Sequence, residues 1–453
     1  MTECNSQPVP FSSLGRRAIL TDFAGGAITS NAGAVLLREA DRRLELTAKL
    51  DAAIPDPRNQ SLITHTQLTM LRQRILAIAL GYEDGNDHQG LREDPLMQLV
   101  TERGIDAERP LASPPTLCRL ENRISRKTLA EVAKVFVETF IASHKAPPAE
   151  LVLDFDATDD AVHGNQANRF FHGYYDSYCF LPLYVFCGHH LLAAYLRPAN
   201  IDAATHAWAI LSLLVKRFRR AWPGVKIIFR GDSGFCRWKM LRWCDRHDVH
   251  YLVGLAKNAR LKAMAHPFMD QAKIRSEQTG EPQRVFADLT YAADTWDRKR
   301  RGIAKAEYLP GRGGGDAKEN FRFLVTNLPG DGQTLYEQTY CQRGDAENRI
   351  KEQQLGLFAD RTSCHDFAAN QFRVLLSAAA YVLLQHVRGH ALAGTDLAEA
   401  QVSTIRLKLL KIGGLVRRSA RRIVLHLAGG YPLKDFFREA SLRLCPIPAL
   451  STA

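Results

Sequence analysis

Two short apolar runs carry carboxylates where a core-forming strand ordinarily carries none. Residues 151–160 read Leu151-Val-Leu-Asp154-Phe-Asp156-Ala-Thr-Asp159-Asp160, and residues 225–233 read Val225-Lys-Ile-Ile-Phe-Arg-Gly-Asp232-Ser233. An ionised carboxylate out of water needs a counter-charge or a metal ion. Two such strand-borne groups predict a shared divalent cation and metal-dependent chemistry. Asp154 and Asp156 alternate to the same side of their strand, so both are candidate ligands. Asp159 and Asp160 fit a turn.

The elements that must position these groups follow from periodicity. Residues 1–148 read as a mainly helical domain behind an extended arm of about 30 residues, with apolar positions three and four apart in 66–80 and 125–144. Pro147-Pro148 closes it. Residues 149–257 change texture: Leu151–Asp156, Ser177–Cys187 and Leu191–Leu196 read as strands joined by short turns. A helix (200–222), a strand (226–230), a helix (237–246) and a strand (250–255) follow. Short links predict antiparallel pairing and helical crossovers predict parallel additions. The expectation is a mixed five-stranded sheet flanked by helices. Residues 258–330 read as a less regular insertion, with a flexible loop at Gly311–Asp316. Residues 331–395 read as a helical completion, and 396–453 as a basic helical region.

Bulk composition narrows the partners. Sixty Lys+Arg against 48 Asp+Glu leave a net charge of +12, which suits a polyanion. Residues 401–445 hold ten Lys+Arg against two acidic residues, including Arg417, Arg418, Arg421 and Arg422. Nine cysteines without a Cys-x-x-Cys pair fit a reducing cytoplasm and oppose a structural zinc site. The apolar stretch near 373–387 is too short for a bilayer, which needs about 20 residues, so no membrane role is expected.

The strand order, with one Asp on strand one and a second just after strand four, resembles the RNase H-like fold of DDE nucleases and transposases. Its third carboxylate belongs on a later helix. The segment Tyr340-Cys-Gln-Arg343-Gly-Asp-Ala-Glu347-Asn-Arg-Ile-Lys351 supplies one, in the Tyr-x-x-Arg-x-x-x-Glu spacing that opens the Tyr-Arg-Glu-Lys signature of bacterial insertion-sequence transposases. The signature's Lys falls at Gln354, and the nearest Lys is Lys351. Further segments resemble the transposase DDE domain group 1: Asp156-Ala-Thr158, His163-Gly-Asn-Gln166, Phe171-His-Gly-Tyr-Tyr175, Arg230-Gly-Asp-Ser-Gly-Phe235 and Glu352–Thr362. The Asp-x-Thr context favours Asp156 over Asp154 as the ligand.

The resemblance implies a DNA transposase that cleaves strands at element ends and transfers 3′-hydroxyls into target DNA. Asp156, Asp232 and Glu347 would be its catalytic and metal ligands, holding two Mg²⁺ ions that Mn²⁺ can replace. Carboxylate oxygens suit Mg²⁺ better than the imidazoles of His163 and His172 do. Tyr340, Arg343 and Lys351 would contact DNA phosphates, the last two sharing a helix face with Glu347. Arg417, Arg418, Arg421 and Arg422 would contribute to DNA binding, and the helical N-terminal domain would read the terminal inverted repeats. Two ends held together imply a homodimer. An RNase H-like endonuclease or resolvase without strand transfer, and a DNA-binding derivative without catalysis, remain as alternatives. Without Lys at 354, the hairpin route of excision also stays open.

Overall fold

The structure, a computed structural model, describes residues 8–103, 109–311 and 316–445. Positions 312–315 of the glycine-rich loop expected at Gly311–Asp316 lie outside the described residues. The chain forms two compact units, Asn122–Val382 and the combination of Met1–Glu121 with Leu383–Ala453.

The Asn122–Val382 unit is built on one mixed sheet. Its strands are β1 (Glu150–Ala157), β2 (Leu183–Cys187), β3 (His190–Tyr195), β4 (Lys226–Gly231), β5 (His250–Leu255), β6 (Gln283–Tyr291), β7 (Arg300–Leu309) and β8 (Lys318–Thr326). Their order is β6-β7-β8-β5-β4-β1-β2-β3. β1–β2 and β2–β3 pair antiparallel, while β4 lies parallel to both β1 and β5. The sheet therefore has eight strands where five were expected. Segment 258–330, read as an irregular insertion, forms a 21-residue helix and three strands that extend the sheet from β5. Pro267 inside that helix breaks the sequence pattern. Neighbouring Leu261, Ala265 and Met269 nevertheless pack on Ala304, Ala306 and Phe323, and this burial holds the helix together.

The run expected as one strand over 177–187 is two. Ser177–Phe180 joins a small sheet with Asp160–Ala161 and Phe170–His172, and only Leu183–Cys187 enters the large one. Pro182 at the break has no N–H to give to a ladder.

Alternation along β1 and β4 separates two faces. Leu151, Leu153, Phe155, Ile227 and Phe229 enter a core with Val137 and Phe140 of α1 (Arg126–Ala142) and Leu211, Leu214 and Phe218 of α2 (Ala207–Ala221). The same core takes Leu241 and Cys244 of α3 (Trp238–Arg246). The opposite face carries Val152, Asp154 and Asp156 on β1, with Ile228 and Arg230 on β4. There Ile228 and Val152 pack with Tyr336 and Tyr340. A helical stretch covers this face: a π-helical turn at Leu335–Tyr340, a tight turn at Cys341–Arg343, a helix at Gly344–Lys351 and a second π turn at Glu352–Gly356. Helix Phe367–His390 is 24 residues long and apolar enough to cross a membrane by length and composition, but 78% of its apolar window is buried.

In the other unit, helices Val35–Leu44, Leu46–Ala53 and Gln67–Leu80 supply the buried leucines. Gly33 lies so close to a neighbouring turn that a Cβ would stand 1.8 Å from the Leu409 carbonyl oxygen. The C-terminal region expected to be helical contains an antiparallel hairpin, Gly414–Arg418 with Ile423–Leu427, which Ile28–Thr29 extends. Glycines 413 and 414 and the β-branched Val416, Ile423 and Val424 favour strand over helix here.

Phe229 is fully buried, with its ring 5.2 Å edge-to-face from Phe155. Phe229→Ala is expected to cost about 3–5 kcal/mol, read as a lower urea midpoint. A loss under about 1 kcal/mol would contradict the core assignment.

Candidate active site

Each carboxylate stands at an edge that the fold creates. Asp156 lies near the end of β1, on the face away from the main core. Asp232 directly follows β4 and caps the single turn Ser233–Phe235, its Oδ1 accepting from the Gly234 N–H at 2.8 Å. Glu347 sits on the eight-residue helix Gly344–Lys351. Because β4 is the parallel neighbour of β1, the C-terminal ends of the two strands open side by side.

Arg230 and Asp154 are register partners across β1 and β4, both buried. Arg230 grips Asp154 with two donors, Nη2 to Oδ2 at 2.7 Å and Nε to Oδ1. Its Nη1 donates to the Thr339 carbonyl, just before Tyr340. Asp154 is thus engaged by a guanidinium, and the same guanidinium fastens the start of the Glu347 helix to the sheet.

Asp156 has no such strand-borne partner. It is 9% exposed, and its Oδ2 accepts from Arg343 Nη1 at 3.3 Å. Arg343 Nη2 donates to Glu347 Oε1 at 2.5 Å. One guanidinium therefore bridges two carboxylates. Burial pushes the Asp156 carboxyl up to about 7; Arg343 opposes that shift, and Asp232 and Glu347 reinforce it. The three carboxylates, 76 and 115 positions apart along the chain, act on one another here.

Tyr340 lines the same place. Burial raises its pKa, with Arg343 and Asp232 both facing it. Gly254 on β5 makes room for it, since a Cβ there would lie 2.8 Å from the Tyr340 hydroxyl and 2.7 Å from the Ser233 nitrogen. Lys351 is exposed. Gln354, where the signature has Lys, donates from Nε2 to the Asp159 carbonyl at 2.7 Å. Arg417 and Arg418 end one strand of the basic hairpin, Arg421 and Arg422 lie in its turn, and all four are exposed. They belong to the other unit.

Sequence reasoning missed Arg230, Thr339 and Gly254. A signal for the first was present, because Arg230-x-Asp232 repeats the two-residue step of Asp154-x-Asp156, so equal offsets on two parallel strands pair Arg230 with Asp154.

Two acidic residues, Asp156 and Asp232, thus stand at the C-terminal ends of neighbouring parallel strands. Residues 11–449 match the transposase DDE domain group 1, and the chain belongs to that family. Among solved structures it is similar to a piggyBac transposase in a synaptic complex with hairpin DNA, determined by cryo-electron microscopy. That likeness has 9% identity and a TM-score of 0.41 over 89% of this chain and 83% of that one. No curated protein sequence matches.

DDE chemistry calls for divalent cations, and the donor chemistry fits them. Arg343 pairs with Asp156 and Glu347 but not with Asp232, which leaves the three carboxylates short of positive charge, and every candidate ligand atom is a hard oxygen suited to Mg²⁺. Among the described residues no group of three His, Cys, Asp or Glu side chains is already gathered to hold a metal ion. Arg343 occupies the position of counter-charge between Asp156 and Glu347.

The Asp156 carboxyl has a folded-state pKa above its unfolded value of about 4. Between pH 4 and 7 the folded chain keeps a proton that the unfolded chain releases, so this group's contribution to stability falls as pH rises through that window. In EDTA, Asp156→Asn is expected to stabilise the protein at pH 8 by an amount on the order of a few kcal/mol, with the gain fading toward pH 4. Asp154→Asn is expected to destabilise it at pH 8 by about 3–5 kcal/mol, because buried Arg230 loses its counter-charge. Urea unfolding of both variants across pH checks this, and equal losses would refute the distinction.

Proposed function

We propose that this protein is a DNA transposase of a bacterial insertion sequence, with an RNase H-like catalytic core formed by β1–β5. It cleaves DNA at the element's ends and joins the freed 3′-hydroxyls to target DNA. The observation that carries this reading is the buried Asp156, which feels the charges of Asp232 and Glu347 and accepts a hydrogen bond from Arg343, the guanidinium that also holds Glu347.

Asp156, Asp232 and Glu347 are the catalytic carboxylates and would hold two Mg²⁺ ions, with Mn²⁺ as substitute. Bound there, the cations supply activation of the attacking water or 3′-hydroxyl and stabilisation of the leaving oxygen. The chain's own groups do the rest. Arg343, once exchanged from the carboxylates, is free to turn its guanidinium to a phosphate, for which its planar fork is suited. The protonated Tyr340 hydroxyl donates to a phosphate oxygen, and Lys351 adds charge at the helix's exposed face.

The exposed arginines 417, 418, 421 and 422 support a second phosphate-binding surface, which makes affinity strongly salt-dependent. The helical N-terminal part is assigned to the terminal inverted repeats. A homodimer holding two ends acts in the cytoplasm on nucleoid DNA.

Asp232→Asn and Glu347→Gln are each expected to abolish Mg²⁺-dependent cleavage of a linear fragment carrying the element ends. Both should leave binding to those ends nearly unchanged. Product analysis on a denaturing gel reads the outcome. Cutting by either variant would overturn the metal-site assignment, and cleavage by wild type with no joined product would favour a nuclease without strand transfer.

A further inference from the structure

A cleft of about 560 Å³ is lined by Ala204, by Trp208 of α2 and by residues of α3 and its flanks. Trp208, Trp238 and Trp243 line it together with Lys239, Arg242 and Arg246, and no carboxylate does. Trp208 is 52% exposed, a large cost for an indole left in water. Trp243 already accepts a flat ring, the His247 imidazole, stacked at 4.4 Å with 19° between planes. The Lys239 ammonium stands 5.7 Å from the centre of the Trp238 ring. The cleft is linked to the Asp232 turn through its lining: a Cβ on Gly234, in that turn, would lie 3.6 Å from Ala203, the chain neighbour of cleft-lining Ala204.

Flat apolar rings interleaved with cations and free of acids match one kind of ligand, an aromatic base that carries a phosphate. A paired duplex keeps the faces of its bases hidden, whereas a single strand offers them for stacking. We propose that this cleft holds an unpaired nucleotide of a DNA strand running past Asp232. Its base stacks on Trp208 or Trp238, and its phosphate rests on Arg242, Arg246 or Lys239. The inference rests on the transposase reading and adds to it a single-strand subsite beside the second catalytic aspartate. The cleft then grips a nucleotide of the strand on its way past the Asp232 turn.

The test uses the full chain in EDTA, titrated with single-stranded (dT)10, with a blunt ten-base-pair duplex and with dTMP. Intrinsic tryptophan fluorescence is followed. Three of the five tryptophans line the cleft, and Trp222 and Trp296 pack into cores, so a stacked base is expected to quench the emission. Trp238→Ala and Arg242→Ala are each expected to weaken (dT)10 binding roughly tenfold. Trp238→Phe should restore most of it, and duplex binding should be unchanged by all three. Undiminished (dT)10 affinity in both alanine variants overturns the proposal. So does dTMP binding as tightly as (dT)10, which would make the cleft a mononucleotide site. Loss of (dT)10 and duplex binding together in the alanine variants also counts against a separate subsite. Metal-dependent cleavage by a wild type that ignores (dT)10 refutes the cleft alone, whereas (dT)10 binding without any cleavage refutes the transposase reading beneath it.

Discussion

The contact on which the site depends is made by Arg230. Its guanidinium is buried between two strands and a helical turn, bonded to both oxygens of Asp154 and to the Thr339 carbonyl. A buried charge without a partner is far more costly than a paired one, so these three groups hold one another in register. The strand bearing Asp156, the strand leading to Asp232 and the stretch leading to Glu347 are joined through that one side chain. Asp154 is thereby held in an ion pair, whereas Asp156 feels the charges of Asp232 and Glu347.

A second arginine balances what the first arranges. Asp232 and Glu347 both act unfavourably on the charged form of Asp156, and Arg343 bridges Asp156 and Glu347. A guanidinium thus supplies positive charge between two of the carboxylates. The helix carrying it is wound irregularly, with π turns on either side of the Glu347 segment. Such bulges often mark functional helices.

Much of this was legible in the sequence because it follows from local chemistry. Charges on apolar strands flagged Asp154, Asp156 and Asp232, and the Tyr340-to-Glu347 spacing supplied the remote member. Short turns against helical crossovers gave the pairing directions of β1 to β5. What escaped were effects of tertiary packing. Pro267 disguised a helix whose stability comes from Leu261, Ala265 and Met269 packing against strands. The two strands around Pro182 read as one because apolarity is continuous across the break. Arg343 read as a phosphate grip, while its bridging of Asp156 and Glu347 depends on distances that no linear spacing encodes. Gly254 looks unremarkable until Tyr340 is seen against it.

The central claim is that Asp156, Asp232 and Glu347 share a divalent cation. Loading the full-length protein with Fe²⁺ and ascorbate generates hydroxyl radicals at the metal, which cut the backbone where the metal sits. The account predicts fragments ending near residues 156, 232 and 347, suppressed by excess Mg²⁺ and lost in Asp156→Asn. Cleavage elsewhere, or an unchanged fragment pattern in Asp156→Asn, would contradict it.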